Sequence, residues 1–189
     1  IAEEVESFGG RVVMTAVNHP TGTDRLAEVA EQLTDYDIIV NVQGDEPFID
    51  SNVIDRLAKM LIEHENLDMV TAAAPLKTEE YQDASAVKVV VNQMGEALYF
   101  SRALIPYPRE GFAMPPLKHI GVYAYRRSFL LTYAKTEQTP LEKTESLEQL
   151  RALETGHKIG VIRIETEDIG IDTEEDLKKA NEFFERSCL

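Results

Sequence analysis

The chain of 189 residues has one cysteine, Cys188, so no disulfide can form within it, and a reducing cytoplasm is the expected location. It has no apolar run long enough to span a membrane and shows no charged-then-apolar leader. Cations are scarce: 19 Lys and Arg stand against 34 Asp and Glu, a net charge of -15. That balance argues against nonspecific attraction to nucleic acid or to an anionic membrane. Internal repeats and low-complexity segments are also missing. What is present is ordinary for a globular chain: 43% apolar residues, which argues against disorder, and a length that suits one domain over residues 1–189 with a real core.

The few cations are unevenly placed. Within residues 101–127, Arg102, Arg109, Lys118, Arg126 and Arg127 face the single carboxylate of Glu110. Such a segment reads either as solvated surface or as a site for an anionic ligand.

Helices and strands alternate along the chain. "IAEEVESFGG" reads as a helix stopped by its glycine pair, "RVVMT" as a strand, and residues 23–33 as a helix. Residues 38–42 form a β-branched run, apolar on both faces like a central strand of a parallel sheet. "NVIDRLAKMLIEHEN" spaces Val53, Ile54, Leu57, Met60 and Leu61 along one helical face, with Asp50 or Ser51 as cap, and "DMVTAAAP" is the next strand. The alternation indicates βαβ units around a mostly parallel sheet. The middle is richer in strand, a small insertion or sub-lobe of about 86–126. There "VKVVVNQMGEALYFS" reads as two strands turning at Gln93, Met94 and Gly95, and "KHIGVYAY" follows a proline-rich connection. "TPLEKTESLEQLRALETG" reads as one helix with Thr139 as cap, Pro140 in the first turn and Gly156 as stop, before a strand, "KIGVIRIE", and a last helix. The fold class is therefore α/β, a Rossmann-like sheet with helices on both faces and a β-rich insertion. The sequence opens in mid-helix without an initiator methionine, so the first βα unit, whose loop usually cradles phosphate, is expected to be missing from it.

Several stretches carry chemistry. In "DIIVNVQGDEPFID" the strand ends at Gln43 and Gly44 and is followed by Asp45 and Glu46, at the carboxyl end where open α/β sheets bind ligands. The two acids read as a turn or as hard oxygen donors for a metal. "GIDTEEDL" places Asp172 similarly. It either caps the last helix, with Glu175 completing a capping box, or joins Asp45 in holding Mg2+ against a triphosphate. In "NHPTGTDRL", Thr23 is a good N-cap, but Arg25 in the first turn opposes the helix dipole by ~0.3–1 kcal/mol unless an anion lies nearby, so this loop is a candidate phosphate contact. His119, Gly121 and Tyr123 share one strand face, as a structural pair or as ligand contacts. In "SLEQLRAL", Leu147, Leu150 and Leu153 mark the buried side and Glu148 and Gln149 flank it.

Taken together, "HPTGTDRLAEV", "NVQGDEPFI", "VKVVV...GEALYFSRALIPYPR", "LKHIGVYAYR", "LEKTESLEQLRALE" and "GIDTEEDL" closely resemble the CMP-Kdo synthetases, the 3-deoxy-manno-octulosonate cytidylyltransferases of lipopolysaccharide synthesis. The resemblance runs from Ile1 almost to the C-terminus, and "EALYFSR", "KHIGVY" and "LEQLR" in this order are its most specific parts. The family's "PAR...S.RLPGKPL"-like phosphate-binding segment is not in this chain, and the stretch from Arg109 to Lys118 is shorter than in some relatives.

The resemblance implies a nucleotidyltransferase sheet and a metal-dependent transfer of CMP from CTP to the anomeric hydroxyl of Kdo, releasing pyrophosphate. It implies a homodimer with CTP and Kdo as its small-molecule partners, and no nucleic-acid or membrane partner. It assigns Asp45 and Asp172 as catalytic ligands of Mg2+, and Gly22, Thr23, Arg25 and Gln43 to the nucleotide. Arg102, His119, Tyr123, Glu148 and Gln149 fall to the acidic sugar, which gives the cationic segment a ligand. Two other readings stand beside it: another sugar nucleotidyltransferase, such as a CMP-sialate synthetase, and a noncatalytic nucleotide-binding module.

Overall fold

The computed structural model describes residues 1–44, 49–165 and 174–187. The elements, in chain order, are α1 (Ala2–Ser7), α2 (Gly22–Gln32), β1 (Ile38–Asn41), α3 (Ser51–Glu63), β2 (Met69–Pro75), a 3₁₀ turn (Thr78–Glu80), β3 (Lys88–Val91), β4 (Ala97–Ser101), β5 (Leu117–Arg126), α4 (Arg127–Tyr133), α5 (Pro140–Glu145), α6 (Gln149–Glu154), β6 (Ile159–Arg163) and α7 (Glu174–Ser187). The six strands form one sheet, ordered β4-β3-β5-β2-β6, with β1 also paired to β5. The hairpin expected at Gln93–Gly95 forms, with Gly95 at φ +78°, and its strands continue the same sheet.

Strand direction departs from the expectation of a mostly parallel sheet. Only β2 and β6 pair in parallel among the described residues; β5 runs antiparallel to β1, β2 and β3. The physical reason is the connection. β3 and β4 form a hairpin that reverses the chain, and the connection of residues 102–116 then crosses β3 in that reversed direction, so the ten-residue β5 runs against β3 and lies between β1 and β2. β1 is correspondingly half-buried, and β5 is its sheet neighbour among the described residues. "RVVMT" forms no strand: residues 11–16 make no ladder, and Met14 and Val17 are exposed.

Helices cover both faces, and period-two alternation in β2 shows why. Met69 and Ala73 face Ala27, Ala30, Phe129, Leu130 and Leu150 of α2, α4 and α6. Val70, Ala72 and Ala74 face Val53, Leu57 and Leu61 of α3. Asp50 caps α3 by accepting from Asn52 N–H at 2.8 Å. At Gly160 of β6 the sheet approaches α3 so closely that a Cβ would lie 2.7 Å from Leu67 Cδ1 and 2.9 Å from Met60 Cε, so only glycine fits without a shift.

The helix expected over 139–156 is two helices. Ser146 sits in the left-handed region at φ 52° and separates α5 from α6. The break lets Arg151 of α6 reach back to Glu142 of α5, with bonds from Nε at 2.7 Å and from Nη2 at 2.5 Å, both side chains being 4% exposed. α5 starts as expected, with Pro140 in its first turn and Glu142 accepting from Thr139 N–H at 3.2 Å, and Gly156 follows α6 at φ +84°.

Candidate active site

A cavity of about 220 Å³ opens among the N-terminus of α2, the end of β1, the second half of β5, and the α5–α6 joint. Thr21, not Thr23, is the N-cap of α2, accepting from Asp24 N–H at 3.2 Å. Thr23 is thereby turned inward. It is 6% exposed, and its hydroxyl lies near the Glu148 carboxyl and the Tyr125 hydroxyl, working to lower the pKa of both. Gly22 and Thr23 line the cavity from α2, Gln43 from beyond β1, Tyr123 from β5, and Glu148 and Gln149 from the start of α6. Six residues that sequence reading assigned to two different substrates thus surround one space.

A row of rings forms its wall. Tyr123 and Tyr125 stack at 5.8 Å between centroids, Tyr125 and Tyr133 at 6.5 Å, and His119 lies 5.4 Å from Tyr123. Tyr125 and Tyr133 line the cavity with Asn41 and Met69, and sequence reading missed all four. Two had a signal: Tyr125 is two residues beyond Tyr123 on the same strand, and Asn41 two before Gln43, so alternation extends the assigned faces to both. Tyr133, on α4, and Met69, on β2, reach the cavity only through tertiary packing.

The electrostatics are set mainly by burial. Burial holds the Tyr123, Tyr125 and Tyr133 hydroxyls well above the ordinary tyrosine range, so all three stay neutral donors. Burial also raises the Glu148 carboxyl above its ordinary value, helped by the nearby charges of Glu142 and Asp24 and opposed by the Thr23 hydroxyl and Arg151. Tyr133 Oη donates to the Glu148 carbonyl at 2.6 Å, which fixes the backbone from which Glu148 and Gln149 project. His119 is held neutral, its pKa pushed down to about 3 by burial.

Three residues assigned to the site lie outside this cavity lining: His119, beside Tyr123, and two arginines. Arg25 donates to Thr15 Oγ1 and to Ala16 O, tying the segment before α2 back onto that helix. Arg102 donates to Glu145 O at 2.7 Å, Ala84 O at 2.9 Å and Ser146 O at 3.2 Å, so all three guanidinium nitrogens hold carbonyls behind the α5–α6 joint. Asp45 and Asp172 lie outside the described residues. Among the described residues no group of three or more His, Cys, Asp or Glu is arranged to hold a metal ion. No helix among them is long and apolar enough to cross a membrane.

A sheet with helices on both faces and a polar cavity at the carboxyl end of β1 is the framework of a nucleotidyltransferase, and the family model described as Cytidylyltransferase matches residues 1–159. A 3-deoxy-manno-octulosonate cytidylyltransferase of Fusobacterium nucleatum is 45% identical over 190 residues, covering 100% of this chain and 78% of that protein. The enzyme of the same name from Syntrophotalea carbinolica is 49% identical over 187 residues, covering 94% and 74%. The chain therefore belongs to the 3-deoxy-manno-octulosonate cytidylyltransferase family. A solved CMP:2-keto-3-deoxy-manno-octonic acid synthetase complexed with CTP superposes with a TM-score of 0.94 at 38% identity, covering 98% of this chain and 77% of that one. The fold extends to a 4-diphosphocytidyl-2C-methyl-D-erythritol synthase of Anaerococcus prevotii, with a TM-score of 0.61 at 16% identity, covering 97% and 74%.

Proposed function

We propose that the protein transfers CMP from CTP to Kdo, giving CMP-Kdo and pyrophosphate, and that the cavity between α2, β5 and α6 is where the acid sugar meets the nucleotide. The observation that carries this reading is the convergence of Gly22, Thr23 and Gln43 with Tyr123, Glu148 and Gln149 on one space. Family membership and the CTP complex of the structural relative support the same reading.

The reaction is a displacement at the α-phosphorus. The anomeric oxygen forms a bond to phosphorus, the bond to the pyrophosphate oxygen breaks, and the hydroxyl proton is lost. Positioning and charge neutralisation supply most of the rate in such a step. The N-terminus of the eleven-residue α2 presents backbone amides and the positive end of its dipole toward an anion. The side-chain amide of Gln43 offers both donor and acceptor to ribose or base. Neutral tyrosine hydroxyls, Glu148 and Gln149 orient the sugar hydroxyls, and the ring wall excludes water. Arg102 and Arg25 act from outside the lining, Arg102 by holding the α5–α6 joint on the sugar side and Arg25 by holding the segment before α2 on the nucleotide side, and His119 acts from beside Tyr123.

Magnesium belongs to the same proposal. β1 and β6 both run opposite to β5 or parallel to its antiparallel neighbour β2, so the chain leaves both at one edge of the sheet on its way to Asp45 and Asp172. Carboxylates are the hard donors this ion takes, a few at a time alongside phosphate oxygens. When bound, Mg2+ neutralises phosphate charge and lowers the pKa of an attached hydroxyl. We further propose that the protein acts as a homodimer in the cytoplasm, which the mass of the protein in solution tests for the dimer.

The test of the activity is pyrophosphate release with CTP fixed and Kdo, N-acetylneuraminate or a neutral hexose phosphate as acceptor. Release specific to Kdo is expected. Preferential use of N-acetylneuraminate would make the protein a sialate enzyme, and indifference to all three would make it a binding module.

A further inference from the structure

Thr71, in the middle of β2, is completely buried and belongs to neither set of assigned site residues. Its hydroxyl oxygen has three polar neighbours: Val122 O at 2.8 Å, Ile120 O at 3.1 Å and His119 Nε2 at 2.9 Å. The two carbonyls come together because β5 bulges here. Thr71 pairs with Tyr123 while Ala72 pairs with Ile120, so Gly121 and Val122 are extra residues on the β5 side. Two extra residues preserve the alternation, which leaves His119 and Tyr123 on the same face with their rings 5.4 Å apart.

A hydroxyl has one proton and carbonyls can only accept. The Thr71 proton is therefore committed to the bulge, since the reverse arrangement would set two carbonyl oxygens against lone pairs with no hydrogen between them, in a site water does not reach. Oγ1 then has only acceptor capacity left for His119, so the ring nitrogen at 2.9 Å must donate. Burial keeps the imidazole neutral, with one ring proton to place. An edge-on contact with Phe100, 5.1 Å between centroids at 83°, holds the ring plane.

We propose that Thr71 is a positioning residue that fixes His119 as the Nε2–H tautomer and so leaves Nδ1 as a bare acceptor for a donor hydroxyl of the sugar. The role of His119 toward the sugar rests on the function proposed above; the tautomer does not. The hydroxyl links the β5 bulge to the ring, so the strand irregularity determines which hydrogen bond the ring can offer.

Long-range proton–nitrogen correlation of the His119 ring in uniformly 15N-labelled protein reads the tautomer directly. A protonated Nε2 and a bare Nδ1 are expected in the wild type and in Thr71→Ser, which keeps the hydroxyl, with the Nδ1–H form gaining population in Thr71→Val. Thr71→Val should raise the KM for Kdo about tenfold with the KM for CTP unchanged, and Thr71→Ser should restore it to within about twofold. If Thr71→Val does not fold, the wild-type ring and the serine variant still decide. A wild-type ring protonated at Nδ1, or a serine variant as impaired as the valine one, would overturn the role of Thr71 alone. An unchanged Kdo requirement in His119→Ala would overturn the sugar-side reading of His119, and the positioning role with it.

Discussion

Glu142 and Glu148 flank the same helical joint, yet their surroundings move the two carboxyls in opposite directions. Burial works to raise both. At Glu142 two hydrogen bonds and the charge of Arg151, with the Thr139 amide and Gln138, outweigh it, and the carboxyl is held below its ordinary value. At Glu148 burial wins: Arg151 Nη2 is 3.4 Å away and already committed to Glu142, and the carboxyl is held above its ordinary value. One acid has all its hydrogen-bonding demand met by the protein and serves the fold. The other takes a long bond from Arg151, at 3.4 Å, and stands in a cavity wall where burial raises its carboxyl, the condition expected of a group in a binding site.

The cationic segment makes the same contrast on a larger scale. Arg126 donates to Leu61 O and His64 O at the end of α3 and to Leu67 O beyond it, and Arg127 to Ala30 O and Glu31 O at the end of α2. Each arginine satisfies the open carbonyls of one helix terminus and opposes its dipole. Lys118 pairs with Glu80 at 2.9 Å. Outside the segment, the fully buried Lys88 likewise donates to Asp83 O and Arg102 O, and desolvation lowers its pKa. Much of the positive charge that sequence reading offered to an anionic ligand is bound to the protein's own oxygens.

That contrast can be broken from either side. The largest effect is expected at the proposed metal ligands: Asp45→Asn or Asp172→Asn should each cost more than about a hundredfold in activity, measured as pyrophosphate release. Thermal unfolding should be nearly unchanged, because an acid that serves only the site contributes little to stability; wild-type turnover in either variant would remove the magnesium assignment. Next is the joint. Arg151→Ala strands the buried Glu142 carboxylate and should destabilise the protein by about 3–5 kcal/mol in urea titration. A loss under about 1 kcal/mol would show that the pair is solvated and the joint is not held by it. Smaller still, Gln149→Ala leaves sugar hydroxyls without a partner and should cost about 1–3 kcal/mol in kcat/KM for Kdo, with the KM for CTP unmoved. An equal loss toward both substrates would place Gln149 in the fold, beside Glu142.

What was legible in the sequence was local. The Asp50 cap, the Gly95 turn, the start of α5 at Pro140 and the amphipathic face of α3 depend on residues within a turn or two of one another. Gly22, Thr23, Gln43, Tyr123, Glu148 and Gln149 were reached through resemblance, and the fold brings them together. What could not be read depends on distant partners. The break at Ser146 accompanies a bond from Arg151 back to Glu142, the destinations of Arg126 and Arg127 are carbonyls of helices far upstream, and the reversal of β5 depends on which strands it joins. Thr71 carries no sequence signal, since its partners exist only once β5 has bulged.

The most direct test of the division between fold and site is the urea midpoint of Glu148→Gln against wild type as pH is varied. A carboxyl whose folded pKa is raised gives stability that is complete below its ordinary value of 4.5 and is lost as pH climbs through the raised one. The glutamine variant has no such loss, so the two proteins should be closely matched at about pH 4 and the variant should be the more stable at about pH 7. A variant less stable than wild type at neutral pH would contradict the account, because Glu148 would then be a paired structural acid of the same kind as Glu142.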